Sequence, residues 1–316
     1  MEVLAMTNVN SPCTGEVGHP LQILMLENEQ LKKRLDALEE MIRQQSDAVG
    51  IKEMLEDLSP LRSHDDKKDE LVIVMLKRNG IEGPWDDLWN EDGELSRRLR
   101  TLRMTADSEV PSAFRSFTMD FVKQLREMIR KEETLLYPRA EEALSLSDWQ
   151  CIYSDFRKFG YAWLKDVPVW AHAAKEENPL YVTCQDGSQN DAAEIHLPSG
   201  TLTLKQLEGI LRTLPMELTF IDANEVNRYF SENTELVPRP LGSLGEEVYD
   251  CHPQRVREIV RSVIEKLKSG EQDMISFPAE KRGRKVMIQY IAVRDRDGGY
   301  LGLLETVQEV EQPRIR

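Results

Sequence analysis

The chain has 316 residues, 41 Lys and Arg against 56 Asp and Glu for a net charge of −15, and 40% hydrophobic residues. That length suits two packed units, each with its own core, and the acidic balance argues against binding to nucleic acid or to an anionic membrane surface, since both need clustered cations. The longest apolar run, Leu71 to Leu76, falls far short of the ~20 residues that cross a bilayer. The N-terminus lacks the cationic start and apolar core of a signal peptide, so a cytosolic location is expected. Cys13, Cys151, Cys184 and Cys251 show no Cys-x-x-Cys spacing and read as isolated reduced thiols.

In chain order, Leu24, Leu31, Leu35, Leu38 and Ile42 recur mostly at helical spacing and mark an amphipathic helix from Leu21 to Ile42. After Ser59-Pro60 a second helix is predicted from His64 to Arg78, stopped at Asn79-Gly80. A third runs from Asp86 to Leu102 behind the turn Gly83-Pro84, with Asp86 and Asp87 where the helix dipole favours negative charge. A fourth follows Pro111-Ser112, buries Phe114, Phe117, Phe121, Leu125 and Met128, and ends at Pro138. Four such helices with short links make a bundle. A further helix, capped near Ser147-Asp148, carries Trp149, Ile152, Tyr153 and Phe156 onto the bundle's end.

Periodicity then disappears in EENPLYVTCQDGSQNDAAE, which reads as a solvated linker. The expected domains are residues 1–171, a linker over 172–199 and a second domain over 200–316. The second begins with a short helix, Leu204 to Leu214, a strand over Met216 to Ile221 and a hairpin partner over Val226 to Phe230. A long amphipathic helix through Val256, Ile259, Val260, Val263, Ile264 and Leu267 stops at Ser269-Gly270. Strands over Asp273 to Phe277, Lys285 to Arg294 and Tyr300 to Val310 follow, turned by Arg282-Gly283 and Asp297-Gly298-Gly299. Strands, helices and three more strands indicate an α+β domain with an antiparallel sheet.

LPMELTFIDANEVNRYFS, the Cys251-His252-Pro253 element and YIAVRDRDGGYLGLLETVQEV resemble the PAS module found behind a hemerythrin-like domain in bacterial two-part proteins. GHPLQILMLENEQL, LKRNGIEGPWDDLW and KEETLLYPRAEEALSLSDW resemble, in order, the opening, an interhelical turn and the closing element of those proteins' HHE cation-binding bundle. The resemblance implies a multidomain chain: an all-α, hemerythrin-like, up-down four-helix bundle, then an α+β PAS domain with a five-stranded antiparallel sheet.

Hemerythrin-like bundles hold two irons among histidines and carboxylates, donors that suit ferrous and ferric ions and leave a position for oxygen or nitric oxide. Against that pattern the ligand set is largely lost. His19 matches the first histidine, but Gln22 stands three residues on; His64 matches the second helix, but Lys68 replaces its expected glutamate, with Asp69 one position displaced. Trp89 is followed by Asp92-Gly93 instead of a His-Asp pair, and Met128 stands where a histidine belongs, although Glu132 and Glu133 remain. The remnant metal candidates are His19, His64, Asp69, Asp92 and Glu133; as solvated charges or helix-start residues they would have no such role. The expected cofactor is none, with iron as the alternative.

PAS domains enclose a small pocket, and Phe220, Tyr229, Phe230, His252 and Tyr290 are the candidates to line it. His252 precedes Pro253 at the helix entrance instead of facing inward, which disfavours haem ligation, and Cys251 lacks photoreceptor surroundings. No nucleophile elbow, P-loop or dinucleotide fingerprint is present, so no enzyme is expected. The leading expectation is a sensory or regulatory protein whose PAS domain binds a small ligand or protein partner, with a metal-free bundle as interaction platform. Homodimerisation through a sheet face and the entering helix is expected, with a separate protein effector and no nucleic acid or membrane partner. The alternative is a non-haem iron responder to oxygen or nitric oxide, or an iron-supply or repair factor.

Overall fold

A computed structural model describes residues 16–105, 112–173, 194–232 and 234–310. The chain divides into two compact units, Met1–Val72 with Ile81–Lys175 and Ile73–Gly80 with Glu176–Arg316. Cys13, Cys184 and most of the expected linker lie outside the described residues.

The helical unit opens with α1, Pro20–Arg43, whose buried stripe Leu24, Leu31, Leu35 and Leu38 is the one the spacing predicts. A short helix that the sequence did not reveal, α2 (Ala48–Asp57), is capped by Asp47 and buries Ile51 and Leu55. Helix α3 is continuous through Leu61–Lys67, a π-helical stretch Lys68–Ile73 and Val74–Arg78. Helix α4 spans Trp85–Thr105. Helix α5 runs through Ser112–Lys131, a second π-helical stretch Glu132–Leu136 and Tyr137–Ala143. Neighbouring members of α1, α3, α4 and α5 touch in sequence and α5 returns to α1, the ring of an up-down four-helix bundle.

Pro138 does not end α5. The preceding turn is π-helical, and this wider turn carries the chain past a residue that has no N–H for the helical ladder. Likewise Phe117, assigned to the buried face, is 61% exposed, while Phe114, Phe121, Leu125 and Met128 are buried.

Helix α6 (Leu146–Phe159) packs on α1 and α3. Its cap is one residue pair earlier than predicted: Ser145 and Asp148 form a reciprocal capping box. Ser145→Ala is expected to destabilise this unit by about 1 kcal/mol, read as a lower urea midpoint with an unchanged slope.

In the second unit β1 (Glu194–Leu197) and β2 (Gly200–Thr203) form a hairpin, so part of the predicted linker is structured. Helix α7 (Leu204–Thr213) has a reciprocal Thr203–Gln206 capping box, yet none of its residues is buried. The main sheet has the order β4-β3-β7-β6-β5 and is antiparallel throughout, with β3 Glu217–Asp222, β4 Asn227–Phe230, β5 Met274–Lys281, β6 Arg284–Arg294 and β7 Tyr300–Glu309. Arg282 and Gly283 both have positive φ, 51° and 74°, as a two-residue hairpin loop requires. Helix α8, Gln254–Ser269, packs Ile264 and Leu267 on Ile221 and Leu303 of the sheet.

Candidate functional site

Each bundle helix brings polar side chains to one buried level. On α1, Glu27 and Asn28 lie within the stripe defined by Leu24 and Leu31, and both are fully buried. On α3, His64, Asp65, Lys67, Lys68 and Asp69 are buried together; α4 adds Asp92, and α5 adds Glu132 and Tyr137. Both π-helical stretches begin at residues of this level, Lys68 and Glu132. Such irregular turns re-aim side chains where a site needs them.

These groups form an alternating chain of charge. Lys67 Nζ donates to Glu27 Oε1 in a short bond and to the Gly160 carbonyl at 2.7 Å. Glu27 also accepts from the Ala162 amide at 2.8 Å. His64 bridges two carboxylates, Nδ1 lying 2.8 Å from Glu27 Oε2 and Nε2 3.3 Å from Glu132 Oε2. Glu132 Oε2 further accepts from Asn28 at 2.8 Å and from the Tyr137 hydroxyl at 2.9 Å. Lys68 Nζ lies 2.6 Å from Glu132 Oε1 and 2.7 Å from Asp92 Oδ2, with Asp65 Oδ1 at 3.7 Å. The order Lys67, Glu27, His64, Glu132, Lys68, Asp92 thus alternates cation and carboxylate from end to end. Lys67 also lies 5.7 and 5.3 Å from the Phe156 and Tyr161 ring centroids, faces that favour a cation.

The electrostatics follow the geometry. Burial opposes charge on His64, but Glu132 and Glu27 outweigh it and push the imidazole up to about 9. Burial would raise Glu132, but Lys68 and His64 hold it well below the usual carboxylate range. Burial also opposes the Lys68 ammonium, whose four carboxyl neighbours, Asp92 first, raise it well above 10.5. Burial and the Asp92 charge raise Asp65 and Asp69, favouring their protonated forms. The protonated Asp69 carboxyl hydrogen-bonds to Asp92.

Of the residues singled out from the sequence, His64, Asp69 and Asp92 meet at this level. His19 does not. It caps α1, Nδ1 accepting from the Leu21 amide at 3.1 Å, and its ring stands edge-on to Trp149 and Trp170 at 4.7 and 5.0 Å. Burial lowers it to about 4 despite nearby Glu16, so it is neutral. Gly18 just before it has φ +84°, and a Cβ there would lie 2.4 Å from the Trp170 amide, so the close approach that seats His19 needs glycine. Glu133 pairs with Lys32 at 2.8 Å near the surface; its neighbour Glu132 is the one at the centre.

In the second unit a polar row crosses the sheet. Thr219, Glu305 and Tyr290 are cross-strand neighbours, and Phe230 and Ile275 continue their row on the same face. Arg239 reaches over it, donating to Thr219 Oγ1 at 2.7 Å and to Glu305 at 2.6 Å, while the Tyr290 hydroxyl meets Glu305 at 3.3 Å. Tyr290 and Ile275 pack with the α8 cluster, which makes this the covered face. Phe220 and Tyr229 alternate to the opposite face. His252 Nδ1 donates to the Val248 carbonyl at 2.7 Å, and burial lowers its basicity.

Residues 19–140 match the family model of the hemerythrin HHE cation binding domain, and residues 207–311 match that of a PAS domain. The chain is a hemerythrin-like HHE domain followed by a PAS domain. Among solved structures, the C-terminal domain of a Streptococcus mutans protein is 29% identical, covering 39% of this chain and 96% of that one with a TM-score of 0.37. A sensory box sensor histidine kinase from Vibrio cholerae is 15% identical over 34% of this chain and 90% of its own, TM-score 0.27. The Aer2 receptor from Vibrio cholerae, a dual PAS-haem oxygen sensor, is 17% identical over 30% and 95%, TM-score 0.23. No curated protein matches the chain significantly.

An HHE domain is of a cation-binding kind. Among the described residues no three His, Cys, Asp or Glu side chains are grouped to hold a metal ion. The carboxylates are instead gathered around ammonium groups, which repel a metal cation. The residues present do not fit an iron pair. Among the described residues, too, no helix is long and apolar enough to cross a membrane.

Proposed function

We propose that this protein is a cytosolic sensory or regulatory protein whose PAS domain recognises a small ligand or a protein partner, while its HHE bundle is a metal-free interaction platform. The observation that carries this reading is the pair of buried lysines, Lys67 and Lys68, neutralised by Glu27, Glu132 and Asp92. Positive charge that other bundles obtain from metal is supplied here by the chain itself. The PAS side of the reading is supported by the covered row of Arg239, Thr219, Glu305 and Tyr290, a set of polar groups able to orient a small ligand or to respond to one. In this reading the protein is not an enzyme, and its output passes to a separate effector. A second copy is the proposed partner of α7, whose Leu207, Ile210 and Leu211 lie on one side of a helix with no buried residue; light scattering at high micromolar concentration should then give twice the chain mass.

The test is metal analysis with an optical spectrum, on protein purified without chelator and then loaded anaerobically with ferrous iron. The expected result is substoichiometric iron and no visible absorption. Two irons per chain with an oxo-bridge absorption would overturn the reading and establish the alternative, a non-haem iron responder to oxygen or nitric oxide or an iron-repair factor. That alternative is favoured only by His64 lying between Glu27 and Glu132. A haem Soret band would move the chemistry to the PAS domain and His252.

A further inference from the structure

We infer that residues 160–169 form a strap over the end of the bundle that opens while the helices stay folded, and that its opening is the gate to the buried Lys67 ammonium. The use of such a gate rests on the reading of the bundle as an interaction platform; the opening itself does not, and it is tested without metal.

Three observations carry it. First, both ends of the strap are fixed while its middle is thinly packed. Ser63 Oγ donates to the Phe159 carbonyl at 2.7 Å on one side; on the other Trp170 is 2% exposed and its ring nitrogen donates to Glu16 at 2.8 Å. Between them only Ala162 is buried, and a stretch with so little apolar burial belongs to the low-stability end of a fold. Second, the strap gives two backbone groups to the buried network. The Gly160 carbonyl accepts from Lys67 Nζ at 2.7 Å, and the Ala162 amide donates to Glu27 Oε1 at 2.8 Å. The Tyr161 ring centroid lies 5.3 Å from the same ammonium. Third, the closed form is strained. Trp163 has φ +58°, a left-handed conformation that is costly for a bulky side chain and marks elements with two arrangements. What holds it lies near the surface: its ring nitrogen donates to the Asp57 carbonyl at 2.7 Å, and Arg34, paired with Asp57 at 2.8 Å, stands 5.2 Å from its ring centroid.

Lys68 sets the contrast. It is as deeply buried as Lys67, but its partners Glu132, Asp92 and Asp65 are all side chains of helices. Lifting the strap therefore leaves Lys68 covered. Lys67 keeps Glu27 but exchanges a carbonyl and the Tyr161 face for water. Of two adjacent buried lysines, one meets solvent in the folded protein and the other does not. Closed, the strap hides the Lys67 ammonium; open, it offers that cation with the rings of Tyr161 and Trp163 at the end of the bundle, which gives the platform a covered and an uncovered form.

The experiment uses the full chain and two readouts by fragment mass spectrometry. One is hydrogen exchange of the Ala162 amide against the Leu31 and Leu35 amides of the α1 core; the other is acetylation of Lys67 against Lys68 by the N-hydroxysuccinimide ester of acetic acid. In the wild type Ala162 is expected to exchange faster than the α1 amides and with little dependence on urea below the unfolding midpoint, because a local opening exposes little surface. Lys67 is expected to be acetylated faster than Lys68. Trp163→Ala is expected to raise Ala162 exchange and Lys67 acetylation together by about tenfold, the effect of losing one hydrogen bond and one cation–π contact, with the α1 amides and Lys68 unchanged. Trp163→Gly, which relieves the left-handed backbone, is expected to open the strap less than Trp163→Ala. If Trp163→Ala does not fold, Arg34→Met, which loosens the same latch, decides by the same readouts; if neither folds, the wild-type comparison of Lys67 with Lys68 decides. The inference is overturned if Ala162 exchanges no faster than the α1 core and with the same urea dependence, if Lys67 and Lys68 are acetylated at equal rates, or if a variant speeds Ala162 exchange without speeding Lys67 acetylation. Iron uptake by the wild type would instead sink the metal-free reading, so the two failures are told apart.

Discussion

The Glu132→Gln variant is expected to lose about 3–5 kcal/mol of bundle stability, the cost of removing one partner from a buried ion network. Glutamine keeps the volume and can still accept from Tyr137 and Asn28, so the loss isolates the charge. Without it, Lys68 retains Asp92 as its only carboxylate within 3 Å, and His64 retains only Glu27. Both cations then sit desolvated with half their compensation, and an uncompensated buried charge costs far more than a lost surface pair. All five tryptophans, Trp85, Trp89, Trp149, Trp163 and Trp170, lie in the helical half of the chain, so fluorescence in urea follows the bundle separately from the PAS domain. Glu133→Gln is the control. Glu133 and Lys32 are 27% and 34% exposed, and their pair should contribute less than about 1 kcal/mol. Equal losses in the two variants would mean that the central network carries no special share of the stability.

That pair of neighbouring glutamates also shows where the sequence was legible and where it was not. The four bundle helices, the five-stranded sheet and their order could be read because apolar spacing reports directly on which face is buried. The helix Ala48–Asp57 was missed because ten residues are under three turns, too short for its apolar positions to establish a period. The β1–β2 hairpin was missed because its strands are only four residues long and largely exposed. At the site, reading by resemblance looked for the family's ligand positions and so named Glu133 and His19. Reading by stripe would have done better. Glu27 and Asn28 fall between Leu24 and Leu31, Asp92 between Leu88 and Leu95, and Glu132 between Met128 and Leu136, each a polar residue at a core-facing step. Polar groups there must be paired inside the protein, and these four, from three helices, predict a common network. The part that no spacing discloses is the partner: which carboxylates of α4 and α5 converge on Lys68 is set by how the helices pack.

Raising the pH from 6.5 to 9 is expected to weaken the bundle by on the order of 3 kcal/mol through His64 alone. Its folded value is pushed up to about 9 from an ordinary 6.5. A base held more tightly protonated in the folded chain contributes its full stabilisation below 6.5 and loses it as the pH climbs through 9. The groups facing it from every side set how cleanly this appears. Asp65 and Asp69 of the same helix are raised, so they also lose stabilisation as pH rises; Glu132 from α5 is lowered and so stays ionised across the window. Lys68 stays charged because it is raised above 10.5, whereas burial lowers Lys67 and gives it the opposite slope. The His64 share is therefore the difference between the wild type and His64→Gln: the wild-type urea midpoint should fall more steeply between pH 6.5 and 9, and parallel slopes would show that the imidazole is not held charged by Glu27 and Glu132. His19 acts in the adjoining window with the reverse sign. Burial lowers it to about 4, so its contribution is complete above 6.5 and is lost as the pH falls towards 4. One histidine kept neutral at a helix start and one kept charged between two carboxylates thus confine the bundle from opposite sides.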